Sequence, residues 1–482
     1  MKFFSFSNFL KSLIDKTQNN LIRTSTNLPI KTLTIHRASS HLHLHHLLHQ
    51  SIRMSSSDQS ISISTRLTPE INRGLDCWSV FSPASGYMPK DSLNLGQGFM
   101  NWGPPKFMRE AANLAIEDVP ANHYSIPKGR IRLRKALSEY YSESYKRKLD
   151  PESEIIVSPG ANFAIYSSLM SYCSDGDEVI IFEPFFDQYI RNITFSGGTP
   201  VFVPLEPPKG ANLKTVSSKD WKLDIKKLQA AITPRSKVII LNTPHNPVGK
   251  VFDIEELRAI GELAERHNLL IISDEVYDCL TFDEPHVRIA TLSDSLWSRT
   301  ITIGSAGKSF SATGWRIGWS IGPKELLKPL LASITRTAFC AVSPLQEAVA
   351  SGFEKSTQLN FFENQRKEYK ERRDLFVKYL DMLGLPYTLP DGAYFVLVET
   401  SKIKVPEGFE MNEIVKERPK DWKLCWFIAK TAGVVCIPPS DFYCKEHVSI
   451  CENYIRIAFC KDLETLKEAG ERLQKLKQFI KS

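Results

Sequence analysis

The sequence predicts an α/β fold in which helices cover both faces of a mostly parallel β-sheet, followed by a smaller α+β domain. Seven short and nearly continuous apolar runs recur between Glu154 and Gly322. Most stretches between them carry apolar residues at helical spacing. Strands and helices that alternate in this way form parallel sheets buried on both faces. After Ser351 the pattern changes, because a long charged helix precedes shorter strands.

The elements can be placed in chain order. The predicted strands of the sheet begin at Glu154, Glu178, Val201, Lys237, Leu269, Thr300 and Trp319. The clearest helix between them begins at Ile254, because apolar side chains then recur on one face. The later pattern predicts a helix over Phe361 to Leu383, a strand from Tyr394, a helix around Trp422 to Thr431, and strands after Gly433 and from Tyr454.

Composition and charge exclude several classes of protein. Of 482 residues, 42% are hydrophobic and 24% charged, so a disordered, collagen-like or small disulfide-stapled protein is excluded. The net charge of +7 is concentrated in residues 1–57, which carry seven basic residues and one acidic residue. The remaining 425 residues therefore carry only +1. We expect neither nucleic acid nor a membrane as a partner.

Residues 1–57 form a leader with almost no acidic residues. A cationic amphipathic start of this kind is typical of a mitochondrial transit peptide, and its broken apolar run is too short to span a membrane. A product that begins at Met54 would lack the signal and stay in the cytoplasm. Five leader histidines could bind a metal, but a low-complexity segment rarely preorganises ligands. We expect no metal site: the nine cysteines show neither a CxxC pair nor a Cys/His zinc spacing.

The segment 304–319 (GSAGKSFSATGWRIGW) carries the strongest local signal. A nucleotide P-loop would need glycine where Thr302 stands, and the chain continues poorly as a helix. Lys308 could also be a surface lysine in a glycine-containing turn. The third interpretation is an amine nucleophile, with Ser305 and Arg316 reaching one dianionic group together.

Polar residues follow two neighbouring predicted strands. Asp274 ends one of them, Tyr277 follows three residues later, and Asn246 comes after the preceding strand. Asp274 alone could be a helix N-cap. Together, the three could hold a pyridinium nitrogen and a phenolate oxygen, which an electron-sink cofactor needs.

Three further features are compatible with such a ligand. Gly160 and Ala161 stand between a strand and a helix, where free N–H groups bind phosphate or where the turn merely packs tightly. Phe186 follows a strand and could stack on a ring or lie in the core. Arg456, inside an apolar strand, either forms an ion pair or clamps a substrate carboxylate.

Taken together and in this order, these motifs resemble the class I and II aminotransferases of pyridoxal 5′-phosphate (PLP) fold type I. The resemblance covers roughly Leu93 to Lys461 and is strongest to the kynurenine aminotransferase and glutamine transaminase K group. It rests on the segments 95–99 (LGQGF), 183–189 (EPFFDQY), 242–252 (NTPHNPVGKVF), 272–278 (ISDEVYD), 304–319, 391–398 (DGAYFVLV) and 454–460 (YIRIAFC).

The resemblance implies a role for each residue. Lys308 matches the lysine that binds PLP covalently, Asp274 the partner of the ring nitrogen, and Tyr277 and Asn246 the partners of the ring oxygen. Phe186 matches the aromatic residue that stacks on the PLP ring. The residues that bind the PLP phosphate match Gly160, Ala161, Ser305 and Arg316. Tyr124 matches a tyrosine that reaches the other subunit's phosphate, which implies a homodimer. The substrate side matches Arg456, Gly98 and Trp78.

The implied activity is transfer of an amino group from an aromatic or large amino acid, with L-kynurenine first, to a 2-oxo acid such as 2-oxoglutarate. Glutamine, methionine or phenylalanine transamination, cysteine-S-conjugate β-elimination and a non-catalytic PLP-fold protein are the alternatives. The implied domains are an N-terminal arm with part of the small domain (58–108), a large PLP-binding domain (109–355) and a small C-terminal domain (356–482).

Overall fold

A computed structural model describes residues 62–72 and 74–481, so the predicted leader, residues 1–57, lies outside the described residues. The strands are β1 (Leu93–Asn94), β2 (Ile155–Ser158), β3 (Glu178–Glu183), β4 (Thr199–Glu206), β5 (Val216–Ser217), β6 (Lys222–Leu223), β7 (Ser236–Asn242), β8 (Leu270–Asp274), β9 (Thr300–Ser305), β10 (Gly318–Ile321), β11 (Tyr387–Leu389), β12 (Phe395–Glu399), β13 (Val434–Val435) and β14 (Tyr454–Ala458).

The helices surround these strands along the chain. They are α1 (Thr68–Ile71), α2 (Cys77–Val80), α3 (Lys106–Glu117), α4 (Ile131–Ser144), α5 (Ala161–Tyr172), α6 (Gln188–Phe195), α7 (Ile225–Ala231), α8 (Ile254–Arg266), α9 (Asp294–Trp297), α10 (Ala306–Ser309), α11 (Lys324–Thr337), α12 (Ser343–Ser356), α13 (Phe361–Leu383), α14 (Glu413–Lys416), α15 (Lys420–Ala432) and α16 (Leu463–Leu473). None of these helices of the described residues is both long enough and apolar enough to cross a membrane.

The largest sheet has eight strands in the order β2-β10-β9-β8-β7-β3-β4-β6. The five strands from β9 to β4 are parallel, whereas β10 and β6 are antiparallel to their neighbours. The predicted α/β class with a mostly parallel sheet is therefore confirmed.

Alternate side chains of the central strands pack on opposite faces of this sheet. In β7, Val238 and Ile240 contact one apolar cluster that includes α5, α6 and α11 residues. Ile239 and Leu241 contact a second cluster, which includes Leu257 and Ile260 of α8. Because both faces are buried, these strands are apolar at successive positions and not at alternate ones.

A second apolar core joins the start and the end of the described chain. β14, β12, β11 and β5 form a four-stranded sheet, and β1 pairs with β13 in parallel. Residues from Cys77 to Met100 share this core with residues from Tyr369 onward. The boundaries predicted at 108 and 355 stay predictions, because residues 64–482 form one compact unit.

Candidate active site

The carboxyl ends of the parallel strands meet at one cavity of about 220 Å³. Asn242 and Asp274 end β7 and β8 and are paired in register, and Ser305 ends β9. Open α/β sheets bind ligands at this edge. The cavity is lined by eleven of the predicted site residues, namely Trp78, Gly98, Ala161, Phe186, Asn246, Asp274, Tyr277, Ser305, Lys308, Arg316 and Arg456.

Lys308 reaches this cavity from α10, directly after β9. Its Nζ donates to the carbonyl oxygen of Gly98 (3.1 Å) and contacts the hydroxyl of Tyr394 (2.8 Å). Burial lowers the pKa of Lys308 to about 8, and Arg456 and Arg316 contribute in the same direction. A neutral amine is therefore accessible near neutral pH, as a nucleophile or a general base requires. The P-loop interpretation is wrong, since α10 has only four residues and Thr302 is buried within β9.

Asp274 is only 5% exposed and accepts two hydrogen bonds. The Tyr189 hydroxyl donates to Oδ2, and the Val276 N–H donates to Oδ1 at 3.4 Å. Burial raises the pKa of Asp274 to about 6, against the Tyr189 hydrogen bond, which lowers it. The carboxylate is therefore charged at neutral pH. It does not cap a helix, because the residues after Glu275 form a turn.

Tyr277 and Asn246 lie beside Asp274 on the cavity wall. Tyr277 is buried with its ring edge-on to Tyr394, at 5.2 Å between ring centroids. The Asn246 N–H donates to Oδ1 of Asn242 (2.8 Å), which holds the backbone after β7 in place. The side chain of Asn246 accepts at Oδ1 from Nη1 of Arg456 (3.2 Å).

Arg456 is a buried cation that has no carboxylate partner among the described residues. It is 1% exposed, its Nη2 donates to the Gly96 carbonyl oxygen (2.6 Å), and its guanidinium lies 4.5 Å from the Phe395 ring centroid. Its Nε is buried and makes no hydrogen bond, and no acidic side chain of the described residues pairs with it. The ion pair considered as an alternative is thus absent from the described part of the chain. A buried unpaired guanidinium is costly, and an anionic ligand in the cavity would compensate it.

The other end of the cavity gathers donors for an anion. Gly160 precedes α5 with φ of +90°, and a side-chain carbon there would lie 2.5 Å from Nη2 of Arg316. Only glycine therefore allows the guanidinium to approach the first N–H groups of α5. Ser305 and Ala161 line the same end. A hydroxyl, a guanidinium and a helix N-terminus together can bind a phosphate group.

Two aromatic residues complete the walls, and three others lie elsewhere. Phe186 packs edge-on against Tyr189, and Trp78 donates from Nε1 to Asp187 (2.8 Å). Tyr124 is 86% exposed and lines a separate surface cavity with Phe339, so its predicted role across a dimer stays a prediction. Phe99 and Trp102 do not line the active-site cavity.

The sequence analysis missed several residues that line or contact this cavity, and four of them are aromatic or polar residues of the motif segments. Tyr189 binds Asp274, Tyr394 contacts Lys308, and Asn242 and Phe395 line the cavity. All four lie inside the motif segments named above. The motif segments could therefore have indicated each of these residues, but only the folded chain shows which side chains they contact.

Comparison with known proteins places the chain in a family. A sequence model described as aminotransferase class I and II matches residues 90–473. The protein named probable kynurenine–oxoglutarate transaminase BNA3 of Saccharomyces cerevisiae is 44% identical, over 85% of this chain and 94% of that protein. The kynurenine–oxoglutarate transaminase of Dictyostelium discoideum is 42% identical, over 84% and 95%.

Solved structures agree with the sequence comparison. The crystal structure of Bna3p from Saccharomyces cerevisiae superposes with a TM-score of 0.84 at 42% identity and covers 87% of this chain and all of that chain. A Thermus thermophilus aspartate aminotransferase variant gives a TM-score of 0.73 at 27% identity, over 86% of this chain and all of the other. By sequence and by fold, the chain belongs to the class I and II aminotransferases.

Proposed function

We propose that this aminotransferase binds PLP and transfers the amino group of L-kynurenine, or of another aromatic or large amino acid, to a 2-oxo acid such as 2-oxoglutarate. The observation that carries the proposal is the convergence of Lys308, Asp274 and the unpaired Arg456 on one cavity. The choice of kynurenine is supported by the names of the two relatives at 44% and 42% identity.

The residues present fit PLP. The phosphate-binding end has Ser305, Arg316 and the start of α5, and Asp274 supplies a buried carboxylate for a ring nitrogen. The unpaired Nε of Arg456 leaves a donor for the carboxylate of an amino acid. When bound, PLP supplies an electron-poor ring that takes up the electron pair released at the substrate Cα.

The side chains of this chain then have separate tasks. Asp274, ionised above about pH 6, would hold the ring nitrogen and keep a proton on it. Tyr277 and Asn246 line the same cavity and would donate to the ring oxygen, and Phe186 would stack on the ring. Nζ of Lys308, with a pKa of about 8, accepts the proton that leaves Cα and gives it up in the following step.

Arg456 orients the amino acid in this cavity. Its buried guanidinium binds the α-carboxylate, and Trp78 and Phe395 surround the same guanidinium at 5.2 and 4.5 Å. These rings give apolar area for an aromatic or long side chain. The same arrangement would also accept phenylalanine, methionine or glutamine, and would promote β-elimination where the substrate carries a leaving group.

The cofactor and the lysine can be tested together. Purified protein is expected to be yellow, and borohydride should bleach it and attach the cofactor to a peptide that contains Lys308. Lys308→Ala should fold and lose turnover, whereas the control Lys324→Ala, on the exposed side of α11, should keep it. Colourless protein, or full activity in Lys308→Ala, would refute the proposal.

The substrate is tested by one panel of donors and acceptors. We expect the highest kcat/KM for kynurenine with 2-oxoglutarate among kynurenine, phenylalanine, methionine and glutamine. A cysteine conjugate that releases pyruvate faster than it transaminates would favour the lyase instead. No turnover with any donor, in protein that binds PLP, would favour a non-catalytic role.

We also propose a homodimer with shared active sites. Support comes from Tyr124 and Phe339, which pack edge-on at 5.3 Å between ring centroids and are both exposed. Mixing Tyr124→Ala with Lys308→Ala subunits tests it. One active site of the mixed dimer then carries both changes and the other carries neither, so activity should exceed that of either variant alone. A monomer in sedimentation, or no gain on mixing, would refute it.

For the leader we propose a mitochondrial address from Met1 and a cytoplasmic product from Met54. The composition of residues 1–57 supports this proposal. A reporter fused after residues 1–53 should enter mitochondria, and a diffuse cytoplasmic signal would contradict it.

A further inference from the structure

Three side chains that suit a metal ion meet at the carboxyl end of β3: Glu183, Cys444 and His447. One donor atom of each lies within 4.8 Å of the others, and Cys444 Sγ is 3.3 Å from His447 Nδ1. The sequence analysis expected no metal site and missed this group, because Glu183 precedes Cys444 by 261 residues. Only the pairing of β3 with a distant loop brings the three together.

The backbone at this place is held from both sides. Glu183 is the last residue of β3 and is fully buried. The N–H of Phe185 donates to the carbonyl oxygen of Phe442 (2.9 Å), which fixes the loop of Cys444 against the strand end. The backbone that carries these side chains is therefore fixed before any ligand binds, which favours binding.

Glu183 has partners for both of its oxygens. Oε1 accepts the N–H of Cys444, and Oε2 contacts Nδ1 of His447. The first contact is the kind of supporting hydrogen bond that orients a ligating carboxylate. The side chain of His447 is 33% exposed. Solvent can thus supply a fourth ligand beside the three protein ligands.

The types of donor atom at this site indicate which metal ion it would bind. A thiolate, an imidazole and a carboxylate are the ligands of zinc, whereas magnesium and calcium prefer oxygen alone. Bonds of about 2.3 Å to sulfur and about 2.0 Å to nitrogen in a tetrahedron place these two atoms about 3.5 Å apart. The observed 3.3 Å is close to this value. One thiolate and one carboxylate also neutralise a divalent cation.

We propose that Glu183, Cys444 and His447 form a Zn²⁺ site that links the loop after Phe442 to the end of β3. On binding, the S–H bond of Cys444 breaks, its proton passes to water and a sulfur–zinc bond forms. The hydrogen bond between His447 Nδ1 and Glu183 Oε2 opens, and the ring proton of the neutral imidazole moves to Nε2, so that Nδ1 and Oε2 can each bind the metal. Phe442 lies 5.1 Å from the guanidinium of Arg456. Bound zinc therefore restrains a segment that contacts the proposed carboxylate site.

The test is zinc binding to the full chain, measured by equilibrium dialysis and by zinc K-edge X-ray absorption. The leader contains six histidines but no cysteine, so a zinc–sulfur signal reports this site separately from the leader. We expect one zinc per chain with one sulfur neighbour at about 2.3 Å. The control Cys340→Ser, a partly exposed cysteine outside the group, should keep that signal.

Variants of the ligands complete the test. Cys444→Ser should lose the sulfur signal, and His447→Gln should weaken binding at least about tenfold, since even supporting residues change metal affinity 10- to 100-fold. Normal cofactor absorbance in both variants would show that they fold. Wild-type protein without a zinc–sulfur signal, or Cys444→Ser that keeps it, would overturn the proposal.

Discussion

The hydrogen bond from Tyr189 to Asp274 offers the sharpest test of the site. Tyr189 is buried, and its hydroxyl donates to the carboxylate that faces the cavity. Burial raises the pKa of Asp274 to about 6, and this hydrogen bond opposes the rise. Tyr189→Phe keeps the ring and removes only the donor. The variant should therefore raise the pKa of Asp274 further.

The size of the change follows from the hydrogen bond. A hydrogen bond to a charged group contributes about 1.5–3 kcal/mol, and a pKa difference of one corresponds to about 1.4 kcal/mol. The pKa of Asp274 should then rise from about 6 to about 7–8. At pH 7 the charged fraction falls about two- to tenfold, and at pH 9 the two proteins should be nearly equal.

The assay is the affinity of the cofactor-free protein for PLP between pH 5 and pH 9, measured by tryptophan fluorescence. The affinity of the wild-type protein for PLP should rise as the pH passes about 6. In Tyr189→Phe the same rise should occur one to two pH units higher. A second transition near pH 8, from Lys308, should be the same in both proteins. Tyr172→Phe, whose hydroxyl donates to Leu326 away from the site, is the matched control. An unchanged lower transition in Tyr189→Phe would refute the reasoning.

Three other predictions address the remaining charges of the site. Arg456→Lys should lower kcat/KM for the amino acid by about 30- to 1,000-fold while cofactor absorbance stays, because lysine keeps the charge but loses the forked hydrogen bonds of the guanidinium, at a cost of about 2–4 kcal/mol. An unchanged kcat/KM would contradict the role of Arg456. In cofactor-free protein, competitive acetylation followed by mass spectrometry should give Lys308 a midpoint near pH 8, against about 10.4 for ordinary lysines. The pKa of Asp274 is higher in the folded than in the unfolded state, so the cofactor-free wild-type protein should lose about 3 kcal/mol of unfolding free energy as the pH rises from about 4 to about 6. Asp274→Asn should not show this loss. Equal pH dependence of urea unfolding in the two proteins would contradict this.

The sequence alone was sufficient for the elements whose pattern is local. The strands at Glu178 and Thr300 and the helix from Phe361 to Leu383 lie where apolar spacing predicts them. Two-residue β6 was missed, because so short a strand has no period to detect, and no local signal indicates that β10 runs against its neighbours.

The residues of the candidate site can also be predicted from the sequence only in part. Lys308, Asp274 and Arg456 are recognisable from sequence, because a charged residue at the end of or inside an apolar strand needs a partner or a function. Their protonation and partners are decided by the tertiary structure. Burial brings the pKa of Lys308 to about 8, and Tyr189, which precedes Asp274 by 85 residues, reaches its carboxylate only in the folded chain.

The sequence by itself thus determined the fold class, the chemistry-bearing side chains and the concentration of positive charge in the leader, since all of these depend on residue type and spacing. The tertiary structure alone decided that Arg456 is buried without a carboxylate partner among the described residues, and that Glu183 meets Cys444 and His447. Contacts across 200 or more residues depend on strand order and loop packing, and residue spacing along the chain does not encode them directly.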